Sequence, residues 1–236
     1  PADQQHGLTD FIDNNDEFIA SQYLWSIMST AELTKLSAEE RHNLVSVPIN
    51  GKGLKTLLEA GMIWLKTNQQ YVNSLNVFPV PDGDTGTNMV LTMQAAFDEV
   101  ENSGTNNVGE LAHAIARGAL MGARGNSGVI LSQIWRGFAR ALDSENTMSV
   151  KLLAAALEEA KETAYKGVVR PVEGTILTVI KDIAAQAEAS VQRTDSFTEV
   201  LADIVEAADA SVERTPRSEE RRVGKECRSR GSRYHK

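Results

Sequence analysis

Between residues 49 and 215 the apolar side chains recur at steps of three and four, and no stretch alternates with period two. Such spacing lays apolar groups along one face of successive helices, whereas a half-buried strand needs every second residue. Leu54, Leu57, Leu58, Gly61, Met62, Leu65, Val72 and Leu75 make the first stripe and predict one long helix. Met89, Met93, Phe97 and Val100 mark a second, and Leu111, Ile115, Ala119 and Leu120 a third. Val129, Ile130, Ile134, Phe138 and Leu142 follow, then Val150, Leu153, Leu157 and Ala164. The last two run through Ile176, Ile180, Ile183, Ala187 and Val191, and through Val200, Leu201, Ile204, Val205, Ala208 and Val212. Asn107 with Glu110, and Ser196 with Glu199, have the spacing of capping boxes. Abundant alanine lets helices approach closely at little cost in propensity. The expected class is all-α: an up-and-down antiparallel bundle or barrel of helices with short connections. Trp64 and Trp135 are expected in its core.

The chain has 236 residues, 42% of them hydrophobic, enough for one medium domain with appendages. No apolar run approaches the roughly 18–20 residues of a membrane span, so no integral membrane segment is expected. The sequence opens at Pro1 without a basic and then apolar leader, which points to the cytoplasm. A net charge of −8 argues against nucleic acid as a partner. A single cysteine, Cys227, excludes an internal disulfide framework and a cysteine-rich zinc site. The histidines, His6, His42, His113 and His235, lack metal-ligand spacing.

Charge divides the chain. Residues 217–236 carry 8 Lys/Arg and 3 Asp/Glu, with Val223 their one aliphatic residue. They read as a basic, disordered tail of non-native sequence rather than as a basic binding arm. Residues 1–47 read as a separate helical segment of unknown role, with capping boxes at Ser29/Glu32 and Ser37/Glu40 and a stripe of Phe18, Ile19, Tyr23, Leu24 and Ile27. Residues 48–216 hold the main domain.

Three connections are too unusual to be plain turns. The first is NVFPVPDGDTGTNM at residues 76–89. Its prolines stiffen the approach, and its glycines permit tight turns. Asp82 and Asp84, two residues apart, can converge on one hard cation, and the helix start beside them offers free N–H groups to an anion. The bland alternative is that Asp-Gly-Asp only caps a helix. An EF-hand loop is disfavoured, because Gly86 stands where it needs an oxygen ligand and Thr87 where it needs glycine. The second is GALMGARGNSG at residues 118–128, which leads straight into a helix. It is neither a Walker A loop nor a dinucleotide fingerprint, and helix-packing glycine is its bland reading. Arg124 there can pair with phosphate or stay solvated. The third is GVVRPVEGT at residues 167–175, where a helix cap is the simpler role for Thr175. Alternate connections of an up-and-down bundle open at one end, so these loops can hold Mg²⁺ and a triphosphate together.

The first motif, with GNSGVILSQ at residues 125–133 and RPVEGT at 170–175, closely resembles the ATP-binding domain of bacterial fatty acid kinase, itself similar to the L subunit of dihydroxyacetone kinase. The resemblance covers residues 49–216. It implies a helical barrel with ATP at one rim and Asp82 and Asp84 as the catalytic pair, binding two Mg²⁺ ions that bridge the phosphates. Asn76 would be a lower-ranked third metal ligand. Thr85, Gly86, Thr87 and Asn88 would line the phosphates together with Gly125, Asn126, Ser127 and Gly128, and Thr175 and Ile176 would approach the nucleotide.

In that family a separate fatty-acid-binding protein presents the acyl carboxylate, which attacks the γ-phosphate to give an acyl phosphate. A carboxylate is already ionised at neutral pH and needs no general base. The family's chain continues past an ERTP segment into more helix and further domains, whereas residues 213–216 here run into the basic stretch. The end of the barrel is therefore expected to be missing and the fragment alone to be inactive. The alternatives are a dihydroxyacetone (glycerone) kinase and a non-catalytic nucleotide-binding or partner-docking module. A homodimer is compatible with each.

Overall fold

The computed structural model describes residues 48–76 and 82–231, with side chains through residue 215. The expected helical segment at 1–47, with its two capping boxes, and the proline-rich residues 77–81 lie outside the described residues. The described residues form eight helices: α1 (Gly51–Thr67), α2 (Gln69–Ser74), α3 (Thr85–Val100), α4 (Val108–Met121), α5 (Gly125–Ala141), α6 (Val150–Lys166), α7 (Ile176–Val191) and α8 (Phe197–Gly231). Among the described residues there is no strand, only an isolated antiparallel bridge between Ile49 and Met148. The class is all-α.

The predicted stripes supply the core. Leu54, Leu58 and Met62 of α1 meet Met93, Phe97 and Val100 of α3, and the cluster continues through Leu111, Ile115, Phe138, Leu142, Val150, Leu153, Ile180 and Val200. From α3 onward each helix packs against its successor, α1 packs on α3 and α4, and α3 also touches α5. The starts of α3 and α5 therefore share one end, here called the mouth. The bridge at Ile49 and the turn from α5 to α6 lie at the other end.

Local chemistry sets the helix starts. Asn50, Asn107, Ser149 and Thr175 each precede a helix and accept a hydrogen bond from an amide in its first turn. Ser196 Oγ accepts from the Glu199 amide at 3.3 Å. The Asn107 box differs from expectation in its second half. Thr105 Oγ1 donates to Glu110 at 2.7 Å and accepts from the Asn107 amide at 3.2 Å, so a hydroxyl stands between the two residues of the box.

Several expectations are corrected. The first long helix breaks at Asn68, whose side chain donates to the Trp64 carbonyl at 2.9 Å and competes with the helical ladder. Trp64 is 68% exposed, on the outward side of α1, where Gly61 also faces open space. Trp135 does pack on the core, edge-on to Phe138, with its ring N–H directed at Met93 Sδ. Leu120, Val129 and Val205, placed in stripes by spacing, are about half exposed. The backbone of α8 is helical from Phe197 through Gly231, which takes in most of the basic stretch. Pro216 supplies no amide to that ladder, but the Glu, Arg and Lys residues beyond it are good helix formers.

Candidate functional site

Asp82 and Asp84 stand where α2 meets α3. Asp84 occupies the N-cap position of α3 with φ −113° and ψ 0°, and its side chain makes no capping hydrogen bond. Asp82 is exposed and accepts from Asn76 Nδ2 at 2.6 Å. Asn76, expected as a third metal ligand, thus spends its amide N–H on orienting Asp82. Gly83 between the acids has φ +65°, the left-handed region that glycine tolerates.

The glycine-rich start of α5 lies against this turn. Ser127 Oγ donates to the Thr85 carbonyl at 3.4 Å. A Cβ on Gly125 would stand 2.3 Å from Asn88 Nδ2, and one on Gly128 2.4 Å from Thr92 Oγ1. Glycine at these places is what lets the first turns of α3 and α5 come together, with Asn126 exposed at the junction. Thr92 is buried and ties the two starts, donating to the Asn88 carbonyl at 2.8 Å and accepting from the Arg124 amide at 3.3 Å. The Arg124 guanidinium donates to the adjacent Ala123 carbonyl at 3.1 Å and is exposed beside the mouth.

Helix α2 braces the other side. Thr87 Oγ1 accepts from Gln69 Nε2 at 2.9 Å and from Asn73 Nδ2 at 3.2 Å, while the Thr87 amide donates to Asn73 Oδ1 at 3.1 Å. A Cβ on Gly86 would meet the Gln69 carbonyl at 2.4 Å. Thr87 and Gly86 are therefore turned toward α2, while Thr85 and Asn88 contact α5. Gln69, Asn73 and Thr92 are site residues that sequence reasoning missed. The first two were detectable as a pair of amides four residues apart, on one helix face, just ahead of the acidic turn.

Thr175 and Ile176 open α7, which α6 separates from most of α5. The Thr175 hydroxyl donates to the Val172 carbonyl at 2.8 Å and accepts from the Leu177 amide at 3.3 Å, so capping uses it. Glu173 holds the preceding loop. It accepts from Tyr165 at 3.1 Å, Thr178 at 2.8 Å and Lys181 at 2.6 Å. The Lys181 hydrogen bond, foremost, keeps the Glu173 carboxyl below its usual range against the effect of burial, with help from Thr178 and Tyr165. Burial first, and Glu173 second, push the Tyr165 hydroxyl up to about 12.

A cavity of about 510 Å³ lies away from this site, at the C-terminal end of α7, lined by Lys151, Glu188, Arg193 and Asp195 among others. It is open and polar and shares no residue with the mouth. Among the described residues, no three His, Cys, Asp or Glu side chains group as a metal site. The Asp82–Asp84 pair suits an ion that takes few protein oxygens and completes its shell with water and phosphate, as Mg²⁺ does.

Among the described residues, no helix is long and apolar enough to cross a membrane. The chain is 52% identical over 153 residues to uncharacterized proteins of Staphylococcus aureus, among them those of the bovine strain RF122 / ET3-1 and of strain USA300. The match covers 65% of this chain and 28% of each relative, so the chain spans under a third of their length. The family model described as the DAK2 domain matches residues 79–226, from the edge of the acidic turn to the far part of α8. With both glycine-braced helix starts inside that segment, the chain belongs to the DAK2 domain family of dihydroxyacetone kinase L-like, kinase-type modules.

Proposed function

We propose that the mouth binds ATP with Mg²⁺ and serves transfer of the γ-phosphoryl group to the carboxylate of a fatty acid presented by a separate fatty-acid-binding protein, in the cytoplasm. The observation that carries the reading is Asp84: a carboxylate at a helix start that does not cap the helix, beside Asp82 and against the glycine cradle of α5. Asp82 and Asp84 would hold the cation, and Mg²⁺ there would neutralise phosphate charge as the transferred group separates. The free amides at the starts of α3 and α5, with Asn126 and Ser127, would receive phosphate oxygens. Arg124 would add positive charge beside them. Gly125 and Gly128 keep side-chain bulk out of the cradle, and Asn76 fixes the rotamer of Asp82. Catalysis would then rest on positioning and charge neutralisation.

A carboxylate acceptor is consistent with the place of the one described histidine. His113, the one histidine among the described residues, is on α4 and bonded to Asp143 just beyond the end of α5, at the end away from the mouth. An acyl carboxylate needs no base at neutral pH, whereas an alcohol does. Family membership also favours a second reading, transfer to dihydroxyacetone or a related ketose. Calorimetric titration with ATP tests the binding step: affinity should require Mg²⁺, vanish with chelator, and fall in Asp82→Asn and Asp84→Asn. Wild-type affinity in both variants would refute the site. Phosphoryl transfer from labelled ATP, offered an acyl-loaded partner protein or dihydroxyacetone, separates the acceptors. Transfer to neither would leave a binding module.

A further inference from the structure

We propose that Asn73 is a positioning residue that caps α3 in place of Asp84 and so keeps the Asp84 carboxylate available to a divalent cation. The inference rests on the reading of Asp82 and Asp84 as a cation site and adds how that site is kept open.

Aspartate is among the strongest N-cap residues, because its carboxylate readily accepts an amide of the first helical turn. Five helices of this fold are capped in that way by their own preceding side chain: Asn50, Asn107, Ser149, Thr175 and Ser196. Four of these have extended backbone, with ψ of −176°, 120°, 168° and −176°. Asp84 departs on both counts, with ψ 0° and no capping bond. The amide it would ordinarily take is that of Thr87, third in the helix, and that amide donates instead to Asn73 Oδ1 at 3.1 Å.

The exchange is specific. A backbone N–H can only donate, so the Asn73 oxygen must face it, which turns Asn73 Nδ2 to Thr87 Oγ1. Gln69, one turn earlier on α2, donates to the same hydroxyl. Helix α2 has six residues and none of them is buried, so polar contacts to α3 rather than an apolar seam hold it in place. The absent side chain of Gly86 gives it room, since a Cβ there would stand 2.4 Å from the Gln69 carbonyl. Beyond α2, Asn76 reaches Asp82. One short segment thus orients the first acid directly and relieves the second of its structural duty.

The test is a Mn²⁺ titration of the full chain without nucleotide, followed by electron paramagnetic resonance. Asn73→Leu removes the acceptor, so Asp84 turns to the Thr87 amide and Mn²⁺ affinity falls about fivefold, the factor matching a typical cap. Asn73→Ala should behave likewise. Asn73→Asp retains an oxygen for that amide and should bind Mn²⁺ at least as well as the wild type. In an Asp84→Ala background, Asn73→Leu should cause no further loss. The inference is overturned if Asn73→Leu and Asn73→Ala bind like the wild type, if Asn73→Asp loses as much as they do, or if the loss persists without Asp84. Wild-type protein that takes up no Mn²⁺ would overturn the cation site itself and this inference with it.

Discussion

Gly125 combines two obstacles to replacement. Its φ of +58° is strained for any residue with a side chain, and a Cβ there would displace the Asn88 amide 2.3 Å away. Gly125→Ala should cost about 1–3 kcal/mol, seen as a lower melting temperature. Gly104, with nothing within 4 Å of its Cβ position, should accept alanine within about 0.5 kcal/mol. The caps should rank against intuition: Ser149→Ala loses about 1 kcal/mol, while Asp84→Ala loses less in chemical denaturation, because only the first side chain caps. At this scale much was legible. Gly-x-x-Gly at 125–128 declared a tight helix start, and Asp-Gly-Asp declared an acidic turn. Thr87 was not, because its direction depends on Asn73, and Asn73 reaches it only because Asn68 ends α1.

Among the elements, the loop between α6 and α7 depends on Glu173. Its carboxyl titrates below the usual range in the folded protein, so its contribution is complete above the ordinary glutamate range and disappears as pH falls through the depressed folded value. Glu173→Gln should therefore lower the melting temperature at pH 7, and the gap to wild type should close on acidification. Helix α2 makes a different prediction. Gly86→Ala should push it off α3 and speed hydrogen exchange at residues 69–76, leaving exchange in α4 and α6 unchanged. Among the described residues, apolar spacing located the remaining helices but merged α1 with α2. A stripe continues in sequence across Asn68, and nothing in its period registers a side chain that takes a backbone carbonyl.

For the whole molecule, three-and-four spacing and short connections sufficed to assign the all-α class and the sharing of one end by alternate loops. They could not show that Thr175 spends its hydroxyl on its own helix, since a cap and a ligand contact draw on the same residue types. With MgATP bound, hydrogen exchange should slow at residues 84–88 and 125–128 and stay unchanged around the Ile49–Met148 bridge; the reverse pattern would move the ligand to the opposite end. That bridge has a practical side. Its paired backbone bonds, 2.9 and 2.7 Å, pin the incoming polypeptide at the pole remote from the acids. A fluorophore carrier joined directly at residue 48 would therefore be tethered at that pole, at the opposite end of the bundle from the acidic turn.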